Sequence, residues 1–134
     1  MPTLYLLDTN TVSYVIKGDI LRVRQRLARV PMAQVAISVV TEAELRFGVE
    51  RRPEAKQLRI AVEEFLVRVT VLPWDSETAA EYAKLRAALE RAGTPIGNLD
   101  LMIAAQALAE DAVLVTNDAA LRRIKRLKTE DWTK

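Results

Sequence analysis

The chain has 134 residues, half of them apolar and 28% charged, with 20 Lys and Arg against 18 Asp and Glu for a net charge of +2. That length suits one compact domain, expected to span 1–134; the absence of His and Cys excludes serine–histidine triads, cysteine nucleophiles, disulfide frameworks and zinc sites of the usual ligand set. The longest apolar stretches, such as VAISVV at 35–40, fall far short of the roughly 20 residues of a membrane span, and with no signal-peptide pattern at the N-terminus a cytoplasmic protein is expected.

The first predicted element is a buried strand at 4–7, ended by Asp8-Thr9-Asn10. A helix follows over about 11–17, closed by Gly18, and Asp19 is positioned to cap a second helix carrying Ile20, Val23 and Leu27. A second strand is expected at 35–38 and a helix at 41–51. Pro53 and Glu54 should open another helix, whose apolar residues Leu58, Ala61, Val62, Phe65, Leu66 and Val69 keep the 3.6-residue period. A third strand at 69–72 stops at Pro73. A long helix then runs from Ser76 to Ala92, with Gly93 at its C-cap. The loop GTPIGNL leads to a helix at about 100–110, a fourth strand at 112–116, a last helix at about 119–126 and an edge strand within 129–133. Strands separated by helices imply an α/β fold, a central parallel sheet of four to five strands covered on both faces. Ligands of such sheets bind beyond the carboxyl ends of the strands.

Four carboxylates stand where these elements meet: Asp8, Glu44, Asp100 and Asp118. Asp8 and Asp118 follow strands and also suit N-caps or Asx turns. Glu42 lies four residues before Arg46 and suits an exposed helical pair, whereas Glu44 shares a stripe with Val40 and Phe47 and should point inward, where an unpartnered carboxylate is costly. Asp100 heads the stripe Asp100, Ile103, Ala104, Ala107, Leu108, the face expected to pack on the sheet. It too could be a cap. Four clustered acids repel one another and favour protonation. A hard divalent cation, Mg2+ or in its place Mn2+, removes that penalty, and metal-assisted hydrolysis then needs no histidine. The run of residues 119–129 carries Arg122, Arg123, Lys125, Arg126 and Lys128 without an acid. Beside an acidic pocket it suits contacts to the phosphates of a polyanionic substrate, the bland alternative being a solvated helix face.

At LLDTN (6–10), ISVVTEAELRFG (37–48), GTPIGNLDLMIAAQA (93–107), VLVTND (113–118) and EDW (130–132) the chain resembles PIN-domain ribonucleases, specifically VapC-type toxins of type II toxin–antitoxin systems. The resemblance spans nearly the whole length and implies a PIN-like three-layer α/β/α sandwich. It further implies a magnesium-dependent endoribonuclease that cleaves transfer or ribosomal RNA, with Asp8, Glu44, Asp100 and Asp118 as its catalytic and metal-binding acids. Glu44 rather than Glu42 matches the EL-x-x-G motif of the family, and Asn10 and Thr116 match polar positions that orient the acids or bound water. A homodimer inhibited by a cognate VapB-type antitoxin is implied as well. Some relatives carry Asn at the position of Asp118, and Phe often stands where this chain has Leu121, so the resemblance leaves open which acids touch metal directly. The segment DTNTV also superficially resembles the DxDxT motif of haloacid-dehalogenase-type phosphatases, but Asn10 replaces its second acid. A third reading is a non-catalytic binding module on the same fold, which the intact acids disfavour.

Overall fold

A computed structural model describes residues 2–134. Five strands, β1 (Tyr5–Leu7), β2 (Val35–Ser38), β3 (Thr70–Leu72), β4 (Val113–Val115) and β5 (Thr129–Glu130), form one sheet in the order β3-β2-β1-β4-β5, and every neighbouring pair is parallel. Seven α-helices connect them: α1 (Thr9–Lys17) and α2 (Leu21–Ala28), α3 (Val39–Glu50) and α4 (Lys56–Arg68), α5 (Ser76–Arg91) and α6 (Asn98–Ala109), and finally α7 (Ala119–Arg122).

The two-residue period of the strands divides the core into two layers. Leu6, Ala36 and Leu114 face a cluster built from α5, α6 and α7, including Leu85, Leu101, Ile103, Ala107 and Leu121. Their chain neighbours Leu7, Val35, Ile37 and Val115 face the opposite cluster, where Val12, Val23, Leu45, Val62 and Phe65 come from α1 to α4. The result is the expected three-layer sandwich. α6 is buried almost all round, with Ile103, Ala104, Ala105, Gln106 and Ala107 fully covered. Gln106 donates from Nε2 to the Pro73 carbonyl at 2.8 Å and the Leu72 carbonyl at 3.3 Å, and Trp74 Nε1 donates to the Met102 carbonyl at 3.1 Å. These bonds fasten α6 to the end of β3 and so fix where its first turn, with Asp100, lies.

Several boundaries differ from the expectation. Ile20, not Asp19, is the N-cap of α2, and no side chain closes that end. Pro53 and Glu54 form a turn before α4, which starts at Lys56. α7 stops at Arg122, so most of the basic run lies in turns, and β5 is only two residues long. In the basic run, the apolar residues Ile124 and Leu127 are drawn into the core beside Leu121.

Candidate active site

The chain steps outward from β1 through β2 to β3, then returns to place β4 on the other side of β1. A switch point therefore lies between the carboxyl ends of β1 and β4, where strand order reverses and ligands of open sheets bind. Asp8 and Asp118 stand on its two sides. The Asp8 amide donates to the Val115 carbonyl at 3.1 Å, extending the β1–β4 ladder by one residue. Its carboxylate accepts the Thr11 amide at 2.8 Å and caps α1. Asp118 repeats the device after β4, accepting the Leu121 amide at 3.1 Å to cap α7. Capping and cation binding, alternatives in the sequence, do not compete here: a cap uses one of the roughly four lone-pair sites of a carboxylate.

Thr116 ties the two acids together. It is fully buried, its hydroxyl accepts the Asp118 amide at 3.0 Å, and its side chain lowers the pKa of Asp8, which burial raises. Asn10 is exposed and makes no side-chain hydrogen bond among the described residues. Its neighbour Thr9 is the residue that touches an acid, donating to Glu44 Oε1 at 2.7 Å while lying 3.1 Å from the buried Thr41 hydroxyl. Sequence reasoning missed Thr9, Thr11 and Thr41. The only signal was three hydroxyl residues beside the acids.

Glu42 pairs with Arg46 at 2.7 Å, as its spacing implies. Glu44 is half-buried rather than inward, and Phe47 on its stripe is 62% exposed. Val40 at the start of that stripe is in the core, but Glu44 and Phe47 face an open groove. Asp100 sits half-buried in the first turn of α6 above the covered Ile103 and Ala104.

The acids feel one another's charge. Burial raises the Asp100 pKa above its ordinary value, and the charges of Asp118, Asp8 and Glu44, in that order, raise it further. Burial likewise raises Asp8, opposed by hydrogen bonds from Thr116 and Thr11 and reinforced by Asp118. None of the four carboxylates is paired with a Lys or Arg among the described residues. Nor do any three acidic side chains of those residues close around a common point tightly enough to cage an ion by themselves. This all-oxygen, unneutralised, open set fits a hard cation such as Mg2+, which takes one or two carboxylates and completes its shell with water and phosphate oxygens. It does not suit zinc.

The basic run is divided. Arg122 pairs with Asp131 at 3.4 Å, Arg126 with Glu81 at 2.9 Å and Lys128 with Asp111 at 2.9 Å. Arg123 and Lys125 have no acidic partner among the described residues. No helix is long and apolar enough to cross a membrane among those residues.

On this doubly covered parallel sheet the PIN-domain family model matches residues 5–127. Ribonuclease VapC2 of Haemophilus influenzae is 36% identical over 129 residues, covering 96% of this chain and 97% of that protein. The tRNA(fMet)-specific endonuclease VapC of Shigella flexneri is 35% identical over 130 residues, 96% of this chain and 98% of its own. The DNA-bound VapBC complex of Salmonella typhimurium contains a chain that superposes with a TM-score of 0.90 at 35% identity, covering 98% of this chain and 99% of that one. This chain belongs to the PIN-domain nucleases and, within them, to the VapC ribonucleases of VapBC toxin–antitoxin pairs. PIN-domain nucleases generally work with a divalent metal.

Proposed function

We propose that this protein is a magnesium-dependent endoribonuclease toxin that cuts cellular RNA of the transfer or ribosomal class and is silenced by its cognate VapB-type antitoxin. The observation that carries the reading is Asp100, a half-buried carboxylate that feels three other acids and no cation. Such an arrangement is costly unless a divalent ion occupies it. Asp8, Glu44, Asp100 and Asp118 would hold Mg2+, with Mn2+ as a substitute; when bound, the ion supplies Lewis acidity toward a phosphoryl oxygen and a water of lowered pKa.

The chain's own residues do the rest. The Thr11 amide and Thr116 fix Asp8, the Leu121 amide fixes Asp118, and Thr9 orients Glu44. Each carboxylate thereby meets its ion without first paying the entropy of finding a rotamer. A tRNA substrate is favoured by the relative from Shigella flexneri, named as tRNA(fMet)-specific. The toxin acts as a homodimer in the cytoplasm, and the antitoxin blocks the groove by presenting an Arg or Lys to the acids.

The test is cleavage of initiator tRNA and ribosomal RNA by the purified chain in Mg2+, in Mn2+ and in EDTA, with sequencing of the new RNA ends. Discrete cuts that require the ion and vanish on adding the cognate antitoxin are expected. Cleavage that persists in EDTA would exclude the metal assignment.

A further inference from the structure

Glu44 lies on a ridge between two hollows, of about 250 Å3 and 610 Å3, whose linings share Thr9, Glu44, Gly48 and Arg51. The smaller hollow adds Lys17 and Arg52; the larger adds the exposed ring of Phe47 and the side chains of Leu99 and Met102. Together they make a groove that starts at a proposed metal-binding acid and leads away over the last turn of α3.

Three features of this groove have no structural explanation within the fold. Gly48 sits in helical conformation without a positive φ, where glycine weakens a helix relative to alanine. A Cβ built there meets nothing within 4 Å, so neither packing nor backbone strain requires the glycine. What its missing side chain leaves open is the saddle between the hollows. Phe47 keeps 62% of its surface in water, with the Arg51 guanidinium 5.4 Å from the ring centroid. Lys17 and Arg51 are in no ion pair among the described residues, and Arg52 reaches Glu54 only at 4.0 Å.

We propose that this groove is the seat of a single-stranded stretch of the RNA substrate, with the sugar-phosphate backbone crossing over Gly48, a base against the Phe47 ring, and phosphates held by Arg51, Lys17 and Arg52. The proposal rests on the ribonuclease reading and adds to it the path of the strand. Open cationic side chains beside an exposed aromatic ring are the two components by which proteins hold single strands, charge for the backbone and a π-face for the bases. Charge decides for RNA over a protein segment. Three cations edge the groove, and the residues facing it beyond Glu44 are neutral. The C-terminal basic run is the weaker candidate, because three of its five cations are already paired with acids.

The experiment measures affinity for a fluorescein-labelled unstructured oligoribonucleotide in EDTA, across a range of salt, for wild type and for Phe47→Ala, Arg51→Ala, Gly48→Leu and the double variant Arg123→Ala, Lys125→Ala. Phe47→Ala should weaken binding at least about 5-fold, the low end of what a stacked base contributes. Arg51→Ala should flatten the log–log salt dependence by about 0.7, the value for one phosphate contact to a single strand. Gly48→Leu should weaken binding while melting no lower than wild type, since its Cβ enters empty space. Cleavage in Mg2+ is scored separately. Unchanged affinity and slope in all three groove variants, with wild type still cutting RNA, overturns the proposal and leaves the ribonuclease reading intact. Groove variants that lose the cognate antitoxin but bind RNA normally also overturn it, assigning the groove to a protein partner. Wild type that binds RNA through Arg51 and Phe47 yet cuts nothing with any divalent ion sustains the groove and refutes the ribonuclease reading.

Discussion

Asp8 and Asp75 perform the same local task in opposite surroundings. Each is the N-cap of a helix, each accepts the amide of a threonine three residues on, Thr11 at 2.8 Å and Thr78 at 3.0 Å, and each threonine is buried. Yet their titration moves in opposite directions. The Thr78 amide and hydroxyl hold Asp75 below its ordinary pKa, whereas burial drives Asp8 above it despite the same kind of bonds. Asp75 is exposed to water, while Asp8 is 3% exposed and feels the charge of Asp118. A cap needs only an oxygen at the helix start. Asp8 carries an electrostatic cost that capping does not require, as the proposed cation-binding role would lead one to expect.

The largest consequence concerns cleavage. Asp8→Asn and Asp100→Asn should each lower RNA cleavage in Mg2+ by at least about 100-fold, in keeping with the several kcal/mol of transition-state charge stabilisation that a bound metal contributes. Asp75→Asn should cut at the wild-type rate. Both Asp8→Asn and Asp75→Asn retain a side-chain carbonyl for the cap, so circular dichroism should show all three variants folded. Equal loss in Asp8→Asn and Asp75→Asn would dissolve the distinction between them and refute a catalytic role peculiar to Asp8.

A smaller effect separates the hydroxyls around the acids from the polar residue the family motif points to. Thr9→Val keeps the shape of the side chain but removes the bond to Glu44 Oε1, and cleavage should fall about 10-fold, as for other groups that orient a metal-binding residue. Asn10→Ala should change little, because its side chain is exposed and makes no hydrogen bond among the described residues. Single-turnover rates at saturating protein measure both. A larger loss in Asn10→Ala than in Thr9→Val would return the orienting role to Asn10.

Thr9 and Asn10 also mark how far the amino-acid sequence alone is legible. The layer architecture, the parallel sheet and the position of Asp100 over Ile103, Ala104 and Ala107 follow from period and register, because hydrophobic burial writes itself along the chain. Glu42 is separable from Glu44 by its spacing to Arg46 alone. Thr9 is not separable from Asn10, since which of two adjacent polar residues meets a side chain 35 positions away depends on how α1 docks on α3. Phe47 turns outward against the expectation for its stripe for a related reason: helical period gives a face, and tertiary packing decides whether that face meets core or groove. The division of the basic run into paired and open cations is equally invisible in the sequence. Glu81, Asp111 and Asp131, the partners of Arg126, Lys128 and Arg122, lie 45, 17 and 9 residues away.

The smallest effect extends the contrast to Asp100, a second acid with a raised pKa, set against Asp75, and is read on the folded protein without substrate. Asp8 and Asp100 have raised pKa values in the folded state, so between the ordinary carboxylate value of 3.8 and their own folded values the native chain binds more protons than the unfolded one. Stability therefore falls as pH rises through that window and stays lower above it. Asp75, with its pKa lowered, works in the other direction: its stabilisation is present above its ordinary value and is lost as pH falls through its folded value. In EDTA, then, Asp100→Asn should raise the melting temperature at neutral pH and have little effect near pH 3, whereas Asp75→Asn should lower it at neutral pH. Mg2+ should raise the melting temperature of wild type at neutral pH by offsetting the acid repulsion, with a smaller rise in Asp100→Asn. Scanning calorimetry at several pH values, with and without Mg2+, measures all of this on one set of samples. If Asp100→Asn melts below wild type at neutral pH in the absence of metal, the acids are not in electrostatic conflict, and the reason for assigning them a cation disappears.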